Sequence, residues 1–369
     1  MPGDSRGPAG GEPLEAIVLV GGRGTRLRPL TVSVPKPLLP TAGVPFLAHQ
    51  LARAASCGVT RVVLATSYRS PMFADCFGDG SRLGLEIDYV HEEEPLGTGG
   101  GIRNAASRLR SGPDDPVVVL NGDVLSGHDL EAQLNLHRKS DAAVTLHLVQ
   151  VPDPARFGCV PTDDNGRVTA FLEKTPHPVT NQINAGCYVY ARRAIDEIPP
   201  ARVVSVERET FPALIESGQI VMGFIDNAYW LDVGTPEAFV RGSCDLVLGR
   251  LTSPAVPGPP GQALLLPGAT VDASASITGG SAVGADAVIG RGATVDGSVL
   301  FDKAVVAAGA NISGSVLGRG AYVGDGVVLD GAVIGDEVSV AAGNELRAGV
   351  RVWPGVELGP TFIRFSTDA

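Results

Sequence analysis

Hydrophobic and polar positions along the chain follow two patterns that meet near residue 252. From Glu15 to about Gly249, short apolar runs alternate with segments of helix length. Ala16-Ile-Val-Leu-Val20, Arg61-Val-Val-Leu-Ala65 and Pro116-Val-Val-Val-Leu120 are almost unbroken aliphatic runs, which predicts strands covered on both faces. Residues 46–56 and 129–138 read as helices between them. The alternation predicts an α/β region with a mostly parallel sheet, and ligands in such sheets sit beyond the carboxyl ends of the strands. More strands are expected at 167–173, 183–190 and 219–225. Thr235-Pro-Glu237 reads as a helix start, because threonine caps, proline suits the first turn and glutamate meets the positive end. It follows Trp230-Leu-Asp-Val-Gly234 directly, which puts Asp232 in a strand-to-helix turn.

Residues 252–262, Thr-Ser-Pro-Ala-Val-Pro-Gly-Pro-Pro-Gly-Gln, suit neither a helix nor a central strand and read as a linker. Beyond it the beat changes. Apolar residues recur every sixth position at Val271, Ile277, Val283, Ile289, Val295 and Phe301, with Gly, Ala and Ser between them. The beat slips by one residue to Val306 and Ile312, again to Leu317, Val323 and Leu329, and again to Ile334, Val340, Leu346, Val352 and Leu358. Such a period belongs to hexapeptide solenoids, in which one large residue points into a narrow three-sided coil and small neighbours turn the corners. The expected organisation is a disordered start over 1–14, an α/β domain over 15–251, the linker, and the solenoid over 263–369.

Composition narrows the function classes. The 48 glycines among 369 residues partly reflect the coil's need for small residues. A net charge of -11 argues against a general nucleic-acid binder, which needs a basic face. Five cysteines, scattered and without a CxxC pair, make neither a disulfide framework nor a zinc site and suit a reducing compartment. No apolar run approaches the roughly 18 residues of a membrane span, and the start lacks the apolar core of a signal peptide. A cytoplasmic protein without membrane partners is expected. All six histidines precede the linker, so histidine-based chemistry is not expected in the solenoid.

The strongest local signal is Leu19-Val-Gly-Gly-Arg-Gly-Thr-Arg-Leu-Arg-Pro-Leu-Thr31, followed by Pro35-Lys-Pro-Leu-Leu-Pro40. A strand runs into a glycine-rich loop, where backbone N–H groups can approach an anion without Cβ obstruction. Arg23, Arg26 and Arg28 add positive charge. The pattern suits polyphosphate, yet it fits neither a GxxxxGK[ST] loop nor a dinucleotide fingerprint. The chain has only four lysines among its 29 basic residues, and Lys36 is the one that falls inside this string.

This string resembles the GGxGTRLxPLT…PKPLLP signature of the sugar-1-phosphate nucleotidylyltransferases. Within that family the later motifs resemble the mannose-1-phosphate guanylyltransferases of actinobacterial type. The resemblance implies a Rossmann-like domain with a mixed, mostly parallel sheet, followed by a left-handed parallel β-helix of hexapeptide repeats that mediates assembly into a homo-oligomer or regulation. It implies attack by a sugar-phosphate oxygen on the α-phosphorus of a nucleoside triphosphate, with GTP and mannose 1-phosphate favoured and pyrophosphate leaving. Both reactants are anionic, so the protein must align them and neutralise charge.

Carried over residue by residue, the resemblance makes Asp123, in Val119-Leu-Asn-Gly-Asp123, and Asp232 ligands of Mg²⁺. Arg26 and Lys36 would hold the triphosphate, and Lys174, in Phe171-Leu-Glu-Lys174, would reach the sugar phosphate. Leu19, Gly21, Gly22, Gly24, Thr25, Gly97, Thr98 and Asn121 would bind the nucleotide; Gly158, Glu173 and Asn184 would bind the sugar. The chain departs from the family pattern where Thr175 intervenes before Pro176, and where Gly99-Gly-Gly101 replaces the commoner GTAG form. Two rival readings stand beside this one: the same chemistry with another sugar or cyclitol 1-phosphate or another NTP, and a non-catalytic subunit that senses nucleotide sugars.

Overall fold

The structure is a computed structural model that describes residues 13–22, 24–66, 70–172, 174, 176–360 and 364–365. Arg23, Glu173 and Thr175, singled out above, lie outside the described residues, as does most of the expected disordered start. The fold separates into two compact units. One takes in the chain up to Gly21, Ala54–Asn121 and Asp129–Asp226; the other takes in Gly22–Arg53, Gly122–His128 and the chain from Asn227 onward.

The first unit is built on a seven-stranded sheet in the order Val221–Ile225, Val144–Gln150, Gln182–Ala191, Pro116–Asn121, Leu14–Leu19, Val59–Thr66, Glu86–His91. Strand Gln182–Ala191 runs antiparallel to both its neighbours, and the other pairings are parallel. The unbroken aliphatic runs are the strands buried on both faces: Ala16, Ile17, Val18, Val62, Val63, Leu64, Val117, Val118 and Val119 are fully buried. Helix Leu130–Ser140 forms where the sequence places it, capped by the Asp129 side chain accepting from Ala132 N; helix Phe46–Ser56 forms as expected too, its residues up to Arg53 belonging to the second unit. An aromatic group anchors the far side, with Phe211 ring centroids 4.9 Å from Phe171 and 5.3 Å from Tyr188. The strand expected over 167–173 does not form. Instead the segment folds back antiparallel beside 159–163 and meets it only in isolated bridges, Val168 with Thr162 and Leu172 with Cys159, while Arg167 bridges to Met222.

The second unit holds three six-stranded parallel sheets, the arrangement of a left-handed parallel β-helix. Fifteen of the sixteen apolar positions read from the sequence recur in its buried interior or pack against it from its first and last coils, and Val283, Val295, Val306, Leu317 and Val340 are wholly buried there. Phe301 is the clear correction: Leu300, not Phe301, occupies the inward position, opposite Val283 and Leu317. Phe301 points outward and packs edge-on against Phe239 of helix Pro236–Val247, centroids 6.3 Å apart. With Leu300 in place, Val283, Leu300, Leu317 and Ile334 stack 17 residues apart. Every slip in the six-residue beat therefore falls at the same corner. That short corner carries Gly297, Gly314 and Gly331 at positive φ, each followed by a small buried residue. Ser298 N donates to Ser281 Oγ and Ser315 N to Ser298 Oγ, both at 3.1 Å. The serines thus satisfy amides that the tight turn would otherwise strand in an apolar corner.

Candidate active site

The glycine-rich loop leaves its strand at Leu19, which is half-buried against the sheet core, and passes through Gly21 to Gly22, where an added Cβ would meet open space. Gly24 is in the left-handed region at φ 58, and its Cα faces the Lys36 and Thr31 side chains so closely that a Cβ would lie 3.0 Å from Lys36 Cβ. Thr31 Oγ1 locks the bend by donating to Gly24 O at 2.8 Å. A 3₁₀ turn follows over Thr25–Leu27, burying Leu27 and leaving Thr25 and Arg26 facing outward. The Arg26 guanidinium lies against Gly234, where a Cβ would sit 2.8 Å from Nη2. Gly234 is thus glycine because an arginine occupies the space of its side chain.

Pro35 starts a second 3₁₀ turn, Lys36–Leu38, and the Lys36 stem is buried beneath it. Its Nζ reaches Asp123 Oδ2 at 3.0 Å. Asp123 occupies the turn that the Asn121-Gly122 pair makes into strand Val124–Ser126, so the residues that make the turn also deliver the carboxylate. That strand pairs antiparallel with Trp230–Asp232; Asp232 lies opposite Val124, and Val233 N donates to Asp123 O at 3.0 Å. A two-stranded ribbon therefore joins two carboxylates that are far apart in sequence. Burial first, and then the Asp123 charge, push the Asp232 carboxyl above the ordinary carboxylate range, while Lys36 and Arg26 pull the other way. Helix Pro236–Val247 begins just beyond, capped by Thr235 Oγ1 accepting from Ala238 N.

Arg26, Lys36, Asp123 and Asp232 thus share one neighbourhood within one unit. Two hard oxygen donors that repel each other, with cations on one side, fit a divalent cation of the Mg²⁺ kind, which takes its other ligands from phosphate and water. Among the described residues no cluster of three or more His, Cys, Asp or Glu offers a fuller cage.

The first unit contains a cleft of about 610 Å³, lined by Asn121, Gly158, Asn184, Ser205, Glu207 and Arg208 together with apolar side chains around Phe157 and Leu172. Its size and mixed lining suit a small polar ligand. Asn184 Nδ2 donates to Tyr188 OH at 2.9 Å, and its Oδ1 accepts from Gly186 N at 3.1 Å, which fixes the amide. Lys174 is exposed on the segment that carries Phe171 and Leu172. Asn121, read from the sequence as a nucleotide contact, lines this cleft beside the sugar candidates Gly158 and Asn184.

Ser205, Glu207 and Arg208 were not singled out from the sequence. Glu207 and Arg208 sit in a π-helical turn, Val206–Thr210, of the kind that recurs at functional positions, and Ser205 caps it, its side chain accepting from Arg208 N. The signal available was the crowding of polar groups in Val204-Ser-Val-Glu-Arg-Glu-Thr-Phe-Pro212 just ahead of a helix proline. Thr98 supports this turn, its Oγ1 accepting from Val206 N at 2.9 Å and reaching Glu207 Oε2 at 3.4 Å. The unusual Gly99-Gly-Gly101 also finds its reason. In helix Gly97–Ala105 a Cβ at Gly99 would lie 2.8 Å from Val204 Cγ1, one at Gly100 2.5 Å from Arg202 O, and one at Gly101 2.7 Å from Glu92 Oε1. Gly97, at φ 72, would collide with Val204 O. The 202–204 segment lies directly on this helix, with Gly99 N donating to Val204 O at 2.8 Å.

The Nucleotidyl transferase family model matches residues 15–247, and the GMPPB C-terminal domain model matches residues 260–358. The chain is 60% identical over 356 residues to a mannose-1-phosphate guanylyltransferase of Mycobacterium tuberculosis, covering 96% of this chain and 98% of that one. It belongs to the mannose-1-phosphate guanylyltransferase family. A plant member, mannose-1-phosphate guanylyltransferase 1 of Arabidopsis thaliana, is 35% identical over 81% of this chain and 82% of its own length. Among solved structures, HddC of Yersinia pseudotuberculosis superposes with a TM-score of 0.54 at 29% identity, covering 62% of this chain and 98% of that one. The same protein complexed with GMP-PN gives 0.53 at 28% identity. A chain of this family is a nucleotidyltransferase, and among the described residues no helix is long and apolar enough to cross a membrane.

Proposed function

We propose that this chain transfers a guanylyl group from GTP to mannose 1-phosphate, giving GDP-mannose and pyrophosphate, with Mg²⁺ as the resident ion. The observation that carries the reading is the convergence of Arg26, Lys36, Asp123 and Asp232 on one two-stranded ribbon. A protein that only sensed a nucleotide sugar would have no use for two mutually repelling carboxylates at that place. Guanine and mannose are supported by the relatives, the M. tuberculosis protein at 60% identity above all.

Asp123 and Asp232 would hold the ion, whose positive charge would offset charge building on the phosphates. Arg26 and Lys36 neutralise the triphosphate, Lys36 as a compact point charge on a buried stem and Arg26 as a planar fork held on Gly234. The backbone at Gly21, Gly22 and Gly24 offers N–H groups to phosphate, with Leu19, Thr25, Gly97, Thr98 and Asn121 completing the nucleotide contacts. Asn184, Gly158 and Glu173 take sugar hydroxyls, Glu207 adds an acceptor within the same cleft, and Lys174 meets the sugar phosphate. The nucleophile is the substrate's own phosphate oxygen, so no side chain needs to form a bond; alignment and charge neutralisation account for the catalysis. This reading also assigns catalysis to residues 15–251, joins them through 252–262 to a β-helix over 263–369 that mediates homo-oligomer contacts, and places the enzyme in the cytoplasm.

The test is a matrix of five NTPs against several sugar 1-phosphates, with pyrophosphate release as the readout. Release with GTP and mannose 1-phosphate above every other pair is the expected result. A different preferred pair overturns the substrate assignment, and no release with any pair overturns the catalytic reading.

A further inference from the structure

One face of the β-helix carries a row of outward residues: Ala282, Val299, Val316 and Val333, then Arg351. The first four are buried in an apolar cluster with Leu27, Leu30 and Leu39 of the signature segment and Phe239 of the following helix. At the last position the row turns from small aliphatic to arginine. Val352 points into the coil and is buried, so strand alternation sends Arg351 outward. Its Nη1 donates to Arg26 O at 2.7 Å and to Arg28 O at 2.9 Å.

Those two carbonyls are a particular pair. The loop's own tight turns use the carbonyls of Gly24, Thr25, Leu27 and Pro29 as acceptors for Leu27, Arg28, Leu30 and Val32. The carbonyls of Arg26 and Arg28 alternate with these and face the β-helix instead. A second tie lies a few residues on, where Ser33 Oγ donates to Asp336 Oδ2 at 2.9 Å. Asp336 is itself held, its Oδ1 accepting from Arg319 N at 2.9 Å. The segment that carries the Arg26 side chain is therefore fastened on its inner side by Gly234 and Thr31, and on its outer side by the end of the coil.

The geometry points to Arg351 as a positioning residue for the triphosphate. Its guanidinium bridges the backbone on either side of Leu27, sets the pitch of the 3₁₀ turn and so aims the Arg26 guanidinium. The two N–H groups of Nη1 lie in the fixed guanidinium plane and so set the directions of both bonds, whereas the three donors of an ammonium rotate freely on a flexible stem. Loops of this composition lose much conformational freedom on ordering, and a loop already ordered by the coil spares the nucleotide that cost. By reciprocity, nucleotide bound at the loop must in turn steady the end of the coil.

The inference rests on the nucleotidyl-transfer reading for its kinetic readout and is also tested by binding. Steady-state kinetics with separate titration of GTP and mannose 1-phosphate, and equilibrium binding of GTP with Mg²⁺, would compare the parent with Arg351→Ala, Arg351→Lys, Ser33→Ala and Arg347→Ala. The expected result for Arg351→Ala is a rise in KM and Kd for GTP of roughly five- to thirtyfold, the scale of losing two hydrogen bonds, with KM for mannose 1-phosphate unchanged. Arg351→Lys should recover part of the loss, Ser33→Ala should show a smaller effect of the same kind, and Arg347→Ala, on the same coil but away from the loop, none. Hydrogen exchange adds a readout that needs no turnover: GTP should slow exchange over residues 350–358 in the parent and not in Arg351→Ala. Equal GTP affinity in parent and Arg351→Ala, or equal losses for both substrates, overturns the proposal. A parent that binds no nucleoside triphosphate overturns the function reading itself.

Discussion

The seven-stranded sheet and the β-helix solve the same burial problem in opposite ways. The sheet's interior mixes large, individually shaped side chains, with Tyr188, Tyr190 and Phe211 fully buried among aliphatics drawn from most of that unit. The coil's interior repeats one small theme, Val, Ile, Leu and Ala at fixed intervals, each coil touching mainly the next. The difference is that the first core depends on particular shapes and the second on a spacing. A cleft with irregular walls can be carved beside the first; the second offers flat faces, and its chemistry appears only where a residue breaks the row, as Arg351 does.

The largest effects are expected where the ribbon gathers charge. Asp123→Asn should lower turnover by at least about a thousandfold, the scale of losing a key electrostatic group, with little change in melting temperature; near-normal turnover would show that the carboxylate pair does not hold the ion. In the sheet, Phe211→Ala should cost about 3–5 kcal/mol and also raise KM for the sugar phosphate, since Phe211 backs Phe171 beside the cleft. In the coil, Leu317→Ala should cost about 2–4 kcal/mol while leaving both KM values alone. Denaturant unfolding of the two variants, followed by kinetics at a temperature where each is folded, checks the contrast. If Leu317→Ala disturbed the sugar KM as much as Phe211→Ala, the separation between a shape-dependent and a spacing-dependent core would fail.

Smaller effects refine it. The Asp232 carboxyl has a raised pKa, so the folded, metal-free protein holds that proton more tightly than the unfolded chain. Its favourable contribution is present at low pH and is lost as pH rises through the folded value. Asp232→Asn should therefore melt higher than the parent at pH 7.5 in chelator, the gap closing as the buffer is acidified, although turnover is lost. In the sheet unit His137 shows the opposite sign. Burial depresses it from 6.5 to about 4, with nearby Arg138 and Arg193 acting the same way. Its contribution is present above pH 6.5 and is lost as pH falls toward 4. His137→Gln, which keeps a partner for Thr145 Oγ1, should flatten the melting-temperature profile across that interval; an unchanged slope would mean that other groups govern the acid limb.

Much of this molecule was legible before any coordinates. The aliphatic runs marked the central strands, since a strand covered on both faces has no polar face to show. The six-residue beat marked the coil, since its interior admits one large residue per side. The signature segment and Asn121-Gly-Asp123 marked side chains that the fold brings together, Arg26, Lys36 and Asp123, because each sits in a turn whose glycines and prolines are plain in the sequence. The segment 167–173 misled because strand-forming residues there pair only in isolated bridges, and Phe301 misled because two adjacent large residues fit the same beat.

What only the tertiary structure decided are the relations between distant positions. The sequence names Asp123 and Asp232, but pairing of strands 124–126 and 230–232 makes them one electrostatic pair. It records three glycines at 99–101, but only the packing of Arg202 and Val204 against Gly99 and Gly100, and of Glu92 against Gly101, says why no Cβ fits. It shows an arginine at 351 with no motif around it, and the fold hands that arginine two backbone carbonyls of the signature segment. Local composition encodes what a segment can become, through conformational preference and burial; which partners it meets depends on chain closure over hundreds of residues, which no local pattern carries.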